Sequence, residues 1–74
     1  MITAMQCRMA RAGLRLSAVE LGKRARVSPT TIARFEAEMT RPVPATRDVL
    51  RRALEAGGAE FIGDDAVKIG TPQS

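Results

Sequence analysis

Seventy-four residues, twelve Lys or Arg against eight Asp or Glu, and only two aromatics, Phe35 and Phe61, bound this chain to one small domain whose core must come from Leu, Ile, Val, Met and Ala, a size at which a single core is marginal. One cysteine and no histidine exclude an internal disulfide and leave no zinc set to assemble. No stretch approaches a membrane span, and the opening residues, broken by Arg8 and Arg11, do not read as a secretory leader, so the expected compartment is the reducing cytoplasm.

The first helix is expected to start at Thr3. Gln6 stands three residues on, a capping box in which hydroxyl and amide each satisfy a backbone N–H left open at a helix start. It should run to about Ala12, with Gly13 at or just past its end. Two inward stripes fit the spacing: Met5, Met9 and Ala12, or Cys7, Ala10, Arg11 and Leu14. Cys7 reads as a small buried hydrophobe before it reads as a redox switch. Ser17 with Glu20 forms a second capping box, opening a helix whose inward stripe is Leu21 and Ala25. Gly22, beside Leu21, stands where a bulkier residue would hold two helices apart. Ala25-Arg26-Val27 leaves room for only a three- or four-residue turn. Ser28 then caps a third helix with Pro29 in its first turn, where proline loses no hydrogen bond. Ile32 and Phe35 face inward, with Thr31 beside them, and Pro29, Thr30, Ala33 and Arg34 face outward. A helix pair this short and this sharply turned has the shape of a DNA-reading helix-turn-helix.

The loop A-E-M-T-R-P-V follows from Ala37 to Val43. Thr40 and Arg41 lie just past the third helix as natural phosphate contacts, which position a protein on DNA without reading sequence, and Pro42 and Pro44 stiffen the loop. A fourth helix starts near Pro44 or Thr46 and ends near Ala56 before Gly57-Gly58. Val49, Leu50, Ala53 and Leu54 form its inward stripe, while Arg47, Arg51 and Arg52 lie mostly outward. Its first turn, Ala45 and Thr46, is a candidate to offer N–H groups to a phosphate. The period then changes. Residues 59–69 alternate around Gly63-Asp64-Asp65 as a β-hairpin, with Phe61 and Ile62 on opposite faces and Lys68 opposed to Val67 and Ile69. One hairpin face is expected to cover the fourth helix, and residues 71–74 to be disordered. The expected fold class is mostly α: a small helix-turn-helix bundle of four short helices (residues 3–57) with a C-terminal β-hairpin (59–69), one domain over residues 1–70.

Charge divides along the same line. Residues 1–54 hold eleven Lys or Arg against Glu20, Glu36, Glu38 and Asp48, and residues 55–74 hold Lys68 against Glu55, Glu60, Asp64 and Asp65. The helical part is thus +7 and the tail −3, together the +4 of the whole chain. A localised basic face suits a polyanionic partner.

The run L-S-A-V-E-L-G-K-R-A-R-V-S-P-T-T-I-A-R-F-E, Leu16 to Glu36, also resembles the phage-repressor and Cro-type (XRE-like) helix-turn-helix family. That family's pattern is S-x-x-x-L-(A/G)-x-x-A-x-V-S-x-x-x-I-x-x-(I/F)-E with a proline shortly after, and the match extends from about Gln6 to Leu54. The resemblance implies a sequence-specific, double-stranded DNA-binding transcriptional regulator. The recognition helix, residues 28–36, is then expected in the major groove, with Ser28, Pro29, Thr30, Thr31, Arg34, Thr40 and Arg41 as the DNA-binding residues: Arg34 toward a guanine, Thr30 and Pro29 toward a thymine methyl, Thr40 and Arg41 toward phosphates. The resemblance also implies a lock between helices, because the family pairs an arginine at the position of Arg11 with a glutamate at the position of Glu36. That pair favours the Cys7, Ala10, Arg11, Leu14 stripe. The chain departs from the pattern at three positions. Ala18 replaces a glutamine that touches the DNA backbone, and Arg26 and Glu38 stand where glycine often ends a helix, so a non-glycine residue must take a helix-ending conformation there.

No catalytic constellation is visible. There is no histidine, no carboxylate pair in an apolar setting and no Gly-rich phosphate loop, and Ser17 and Ser28 read as caps. No enzyme activity, cofactor or metal is expected. One reading is the DNA-binding regulator, as a two-fold homodimer to which the hairpin residues Phe61, Ile62, Val67 and Ile69 offer an edge or apolar face. The alternative is an antitoxin-like or accessory module whose first partner is a protein and whose DNA binding is secondary. The blandest is a small helical domain that shares only the pattern.

Overall fold

In the computed structural model, which describes residues 2–39 and 43–70, both capping boxes are closed. The Thr3 hydroxyl accepts from the Gln6 N–H and the Gln6 amide oxygen accepts from the Thr3 N–H, each at 3.1 Å, at the head of α1 (Ala4–Gly13). Ser17 and Glu20 make the same exchange at 3.0 and 3.1 Å before α2 (Ala18–Ala25). Ser28 accepts from the Thr30 N–H at 3.2 Å before α3 (Pro29–Glu36), with Pro29 in the first turn. Helix α4 (Pro44–Ala56) also begins on proline and has no side-chain cap. An antiparallel hairpin follows, β1 (Ala59–Ile62) and β2 (Ala66–Ile69), with Ala59 opposite Ile69 and Ile62 opposite Ala66. Four helices and a two-stranded hairpin thus form a small, mostly α bundle.

The helices end in a way the glycines do not announce. Arg15, Arg26 and Glu38 follow α1, α2 and α3 with φ of 59, 58 and 59°. Each lets the next residue's N–H reach back five positions: Leu16 to the Arg11 carbonyl at 2.9 Å, Val27 to Gly22 at 3.0 Å, Met39 to Arg34 at 2.9 Å. This left-handed closure satisfies carbonyls left open at a helix end, and glycine is its usual occupant. At Arg26 and Glu38 it meets the expectation for a non-glycine residue. The end of α1 also falls where expected, at Gly13, but its left-handed residue, Arg15, was not foreseen.

Helix α1 buries the stripe of Cys7 and Ala10, with Leu14 half-buried, and leaves Met5 and Met9 exposed. Around it Leu16, Leu21, Ala25, Ile32, Phe35, Leu50 and Leu54 close the core. Burial of each large aliphatic side chain among them contributes about 1.5–3 kcal/mol. Ile2, Ala4 and Ala59 join this core without having been expected in it.

The hairpin lies across two helices, not one, with β1 against α4 and β2 against α1. Gln6 fixes it. Its amide NH2 donates to the Gly63 carbonyl at 2.9 Å and to the Ala66 carbonyl at 3.1 Å, and the Thr3 hydroxyl donates to the Asp64 carbonyl at 3.1 Å. At the other end of β2, a Cβ on Gly13 would stand 2.6 Å from Ile69 Cγ1, so glycine is there to admit the strand.

Arg47 departs from its expected outward direction. It is half-buried, donates from Nη2 to the Ile2 carbonyl at 2.8 Å, and sits 5.7 Å from the centre of the Phe35 ring. A carbonyl ahead of α1 and an aromatic face both attract a guanidinium whose stem can be buried. No helix among the described residues is long and apolar enough to cross a membrane.

Candidate nucleic-acid interface

The unit α2–turn–α3 is held close by one glycine. A Cβ on Gly22 would come within 2.5 Å of the Val27 carbonyl oxygen and 3.6 Å of the Pro29 ring. The turn can therefore fold back directly over α2, and α3 leaves it at a fixed angle. Ile32 and Phe35 then anchor one face of α3 in the core.

The far end of α3 is fixed by charge. Arg11 Nε donates to Glu36 Oε2 at 2.9 Å and Nη2 to Oε1 at 2.7 Å, a two-point contact, while Nη1 donates to the Leu16 carbonyl at 3.1 Å. The Cys7 thiol adds a donor to Glu36 Oε2 at 3.3 Å. Glu36 is only 5% exposed, so its charge is compensated by these groups in place of water. The hydrogen bond to Glu36 raises the pKa of the Arg11 guanidinium further above its ordinary value, so Arg11 stays charged. Burial pushes the Cys7 thiol up to about 12, which with its full burial makes it a packing and donor group and not a reactive thiolate.

These anchors leave Pro29, Thr30, Ala33 and Arg34 exposed along one side of α3, with Thr31 half-buried beside them. Eight helical residues measure about 12 Å, close to the width of a DNA major groove. Ser28 is exposed at the head of this strip, its oxygen already accepting from Thr30, so its hydroxyl proton is what it can still offer. Thr30 offers a hydroxyl and a methyl. Arg34 carries the long forked donor, one turn beyond Thr30.

The rest of the expected site is distributed unevenly. Thr40 and Arg41 lie outside the described residues. In the first turn of α4, the N–H of Thr46 donates to the Val43 carbonyl at 3.0 Å and that of Arg47 to the same oxygen at 3.2 Å, so the Thr46 amide is engaged and not held ready for a phosphate. Arg51 and Arg52 pair with Glu55 and Asp48 at 3.1 and 3.0 Å on the surface of α4. Arg8, Arg15, Lys23, Arg24, Arg26 and Arg34 are exposed and make no salt bridge among the described residues. Glu20 is held below the usual carboxylate range, first by its hydrogen bonds with Ser17 and then by the charges of Arg24 and Lys23, so it is fully ionised at the head of α2. Among the described residues no group of three His, Cys, Asp or Glu is placed to hold a metal. The hold of Gln6 on the hairpin and the inward turn of Arg47 were missed in the sequence. Both residues lie at helical positions of unremarkable spacing, and their partners are forty or more residues away.

No protein-family model matches the chain, and no curated protein matches it.

Proposed function

We propose that this chain is a sequence-specific double-stranded DNA-binding regulator of transcription, belonging with the phage-repressor and Cro-type helix-turn-helix proteins, that inserts α3 into the major groove. The observation that carries the reading is the exposed strip Pro29, Thr30, Ala33 and Arg34 on a helix anchored from behind at both ends. A reading helix must present donors without moving, because each base contact is worth little unless its geometry is fixed in advance. Arg34 suits a guanine, and the Thr30 methyl and Pro29 suit a thymine methyl. The net +7 of residues 1–54 supports general attraction to phosphates. In this reading Thr40 and Arg41, just past α3 in the sequence, contact phosphates, and the working compartment is the cytoplasm.

One such reader per protomer is a weak binder, so the working form is a two-fold homodimer reading half-sites about one DNA turn apart. The open edges of the hairpin and the half-exposed Ile62 and Ile69 are the surface that supports it. Selection of bound duplexes from a randomised pool tests the reading. A recovered palindrome with a guanine in each half-site is the expected result, and recovery of no preferred sequence refutes it. The same exposed apolar residues also suit the second reading, an antitoxin-like module with a protein partner. A small toxin-like gene beside this one, with co-purification of its product, would favour that reading instead.

A further inference from the structure

A cleft of about 440 Å³ opens on the molecule between the C-terminal ends of α1 and α4, the last turn of α2 and the end of β2. Its apolar wall is Leu14, Leu16, Ala56 and Ile69, and Arg15 and Arg24 stand in its lining. The two arginines come from different elements, the turn after α1 and the last turn of α2, and both line one hollow. Neither makes a salt bridge among the described residues. Glu20, one turn before Arg24, accepts at Oε1 from the Ser17 N–H and makes no salt bridge with Arg24. The volume lies within the range of small-molecule sites, where an apolar lining holds the body of a ligand and a few polar groups fix its orientation.

We propose that this cleft binds a small amphipathic carboxylate, with the apolar stem against Leu14, Leu16 and Ile69 and the carboxyl group between Arg15 and Arg24. A planar guanidinium matches a carboxylate at two points, and two of them select an acid over the corresponding alcohol. The apolar wall in turn selects it over an inorganic anion. This site is separate from the exposed strip of α3 and shares only Ile69 with the hairpin surface.

The test is a titration of the full chain with octanoate, followed by methyl NMR, with octanol and sulfate as controls. Saturable shifts of the Leu14, Leu16 and Ile69 methyls are expected with octanoate and not with either control. Arg15→Gly removes one guanidinium and relieves a φ of 59°, so it keeps the fold, as its melting temperature will show. It should bind octanoate about tenfold more weakly, the loss of one charge-assisted contact, as should Arg24→Gln. Arg34→Ala should bind octanoate like the parent, which separates this site from the reading face. Absence of saturable shifts, octanol binding as tightly as octanoate, sulfate alone producing the same shifts, or unchanged binding in both cleft variants would each overturn the proposal.

Discussion

The Arg11 guanidinium meets the Glu36 carboxylate at two points, 2.9 and 2.7 Å, and so ties the end of α1 to the last residue of α3 across the core. Glu36 is buried and Arg11 keeps 27% of its side chain exposed. Desolvation therefore offsets much of the attraction, and the pair matters most when one half is removed. Glu36→Ala should destabilise the fold by about 3 kcal/mol, the lower end of the range for a broken buried pair because Arg11 can regain water. A double-mutant cycle with Arg11→Ala in urea melts should show coupling above about 1 kcal/mol. Additive losses would contradict this account.

The buried thiol beside that pair carries a pH dependence whose sign can be worked out. Burial, and next the Glu36 charge, move Cys7 from its ordinary 9.0 to about 12. The unfolded chain loses the thiol proton near the lower value and the folded chain near the higher. Between them the unfolded state binds fewer protons, so stability falls as pH rises through that window, by at most about 1.4 kcal/mol per pH unit. Urea melts at about pH 8 and about pH 11 should show a larger loss for the parent than for Cys7→Ala. The thiol should also react with a disulfide reagent only as fast as the chain unfolds.

Glycine and its replacements should behave opposite to helix propensity. Gly22→Ala places a Cβ 2.5 Å from a backbone carbonyl. It should cost about 1–3 kcal/mol, as overpacking does, where alanine in an open helix would stabilise. Arg26→Gly relieves a left-handed φ and should raise stability by up to about 1 kcal/mol. Thermal melts of the two variants moving in the same direction would refute the assignment of the turn.

The hairpin is a working part of the fold. Gln6→Leu leaves the Gly63 and Ala66 carbonyls without their donor and should cost about 2 kcal/mol, with amide exchange rising first in β1 and β2. Truncation after Gly58 removes Ala59 from the core and Phe61 and Val67 from its flank. The shortened chain should lose its cooperative thermal transition, measured by circular dichroism.

On DNA, Arg34→Ala should relax preference at one base pair per half-site, a loss of about 1–3 kcal/mol of discrimination, while affinity for non-specific duplex changes little. Ile62 is 50% exposed, so Ile62→Lys should leave the fold intact and shift sedimentation toward the monomer. An unchanged selection profile for the first, or an unchanged mass for the second, would count against the reading helix and the hairpin interface respectively.

What the sequence determined by itself was local. The two capping boxes, Pro29 at the start of α3 and the turn at Gly63-Asp64-Asp65 each depend on residues within about five positions. The energy that selects them is present in the isolated segment. The outward strip of α3 was legible for a related reason, since Ile32 and Phe35 set its opposite face by helical spacing alone. The Arg11–Glu36 lock spans 25 positions and was read only because a family pattern supplied the pairing.

The tertiary structure decided much of the rest, above all where a polar or small residue meets something distant. Gln6 turned inward because carbonyls 57 and 60 residues away needed its amide, and Arg47 because the Ile2 carbonyl, 45 residues away, needed its guanidinium. Gly13 reads as a helix stop until Ile69 is seen to fill the space of its missing side chain. A polar side chain has no inward or outward preference of its own strong enough to override such a partner, because its burial is favourable only when the partner is there. The hairpin's seat across α1 and α4 follows from the same condition.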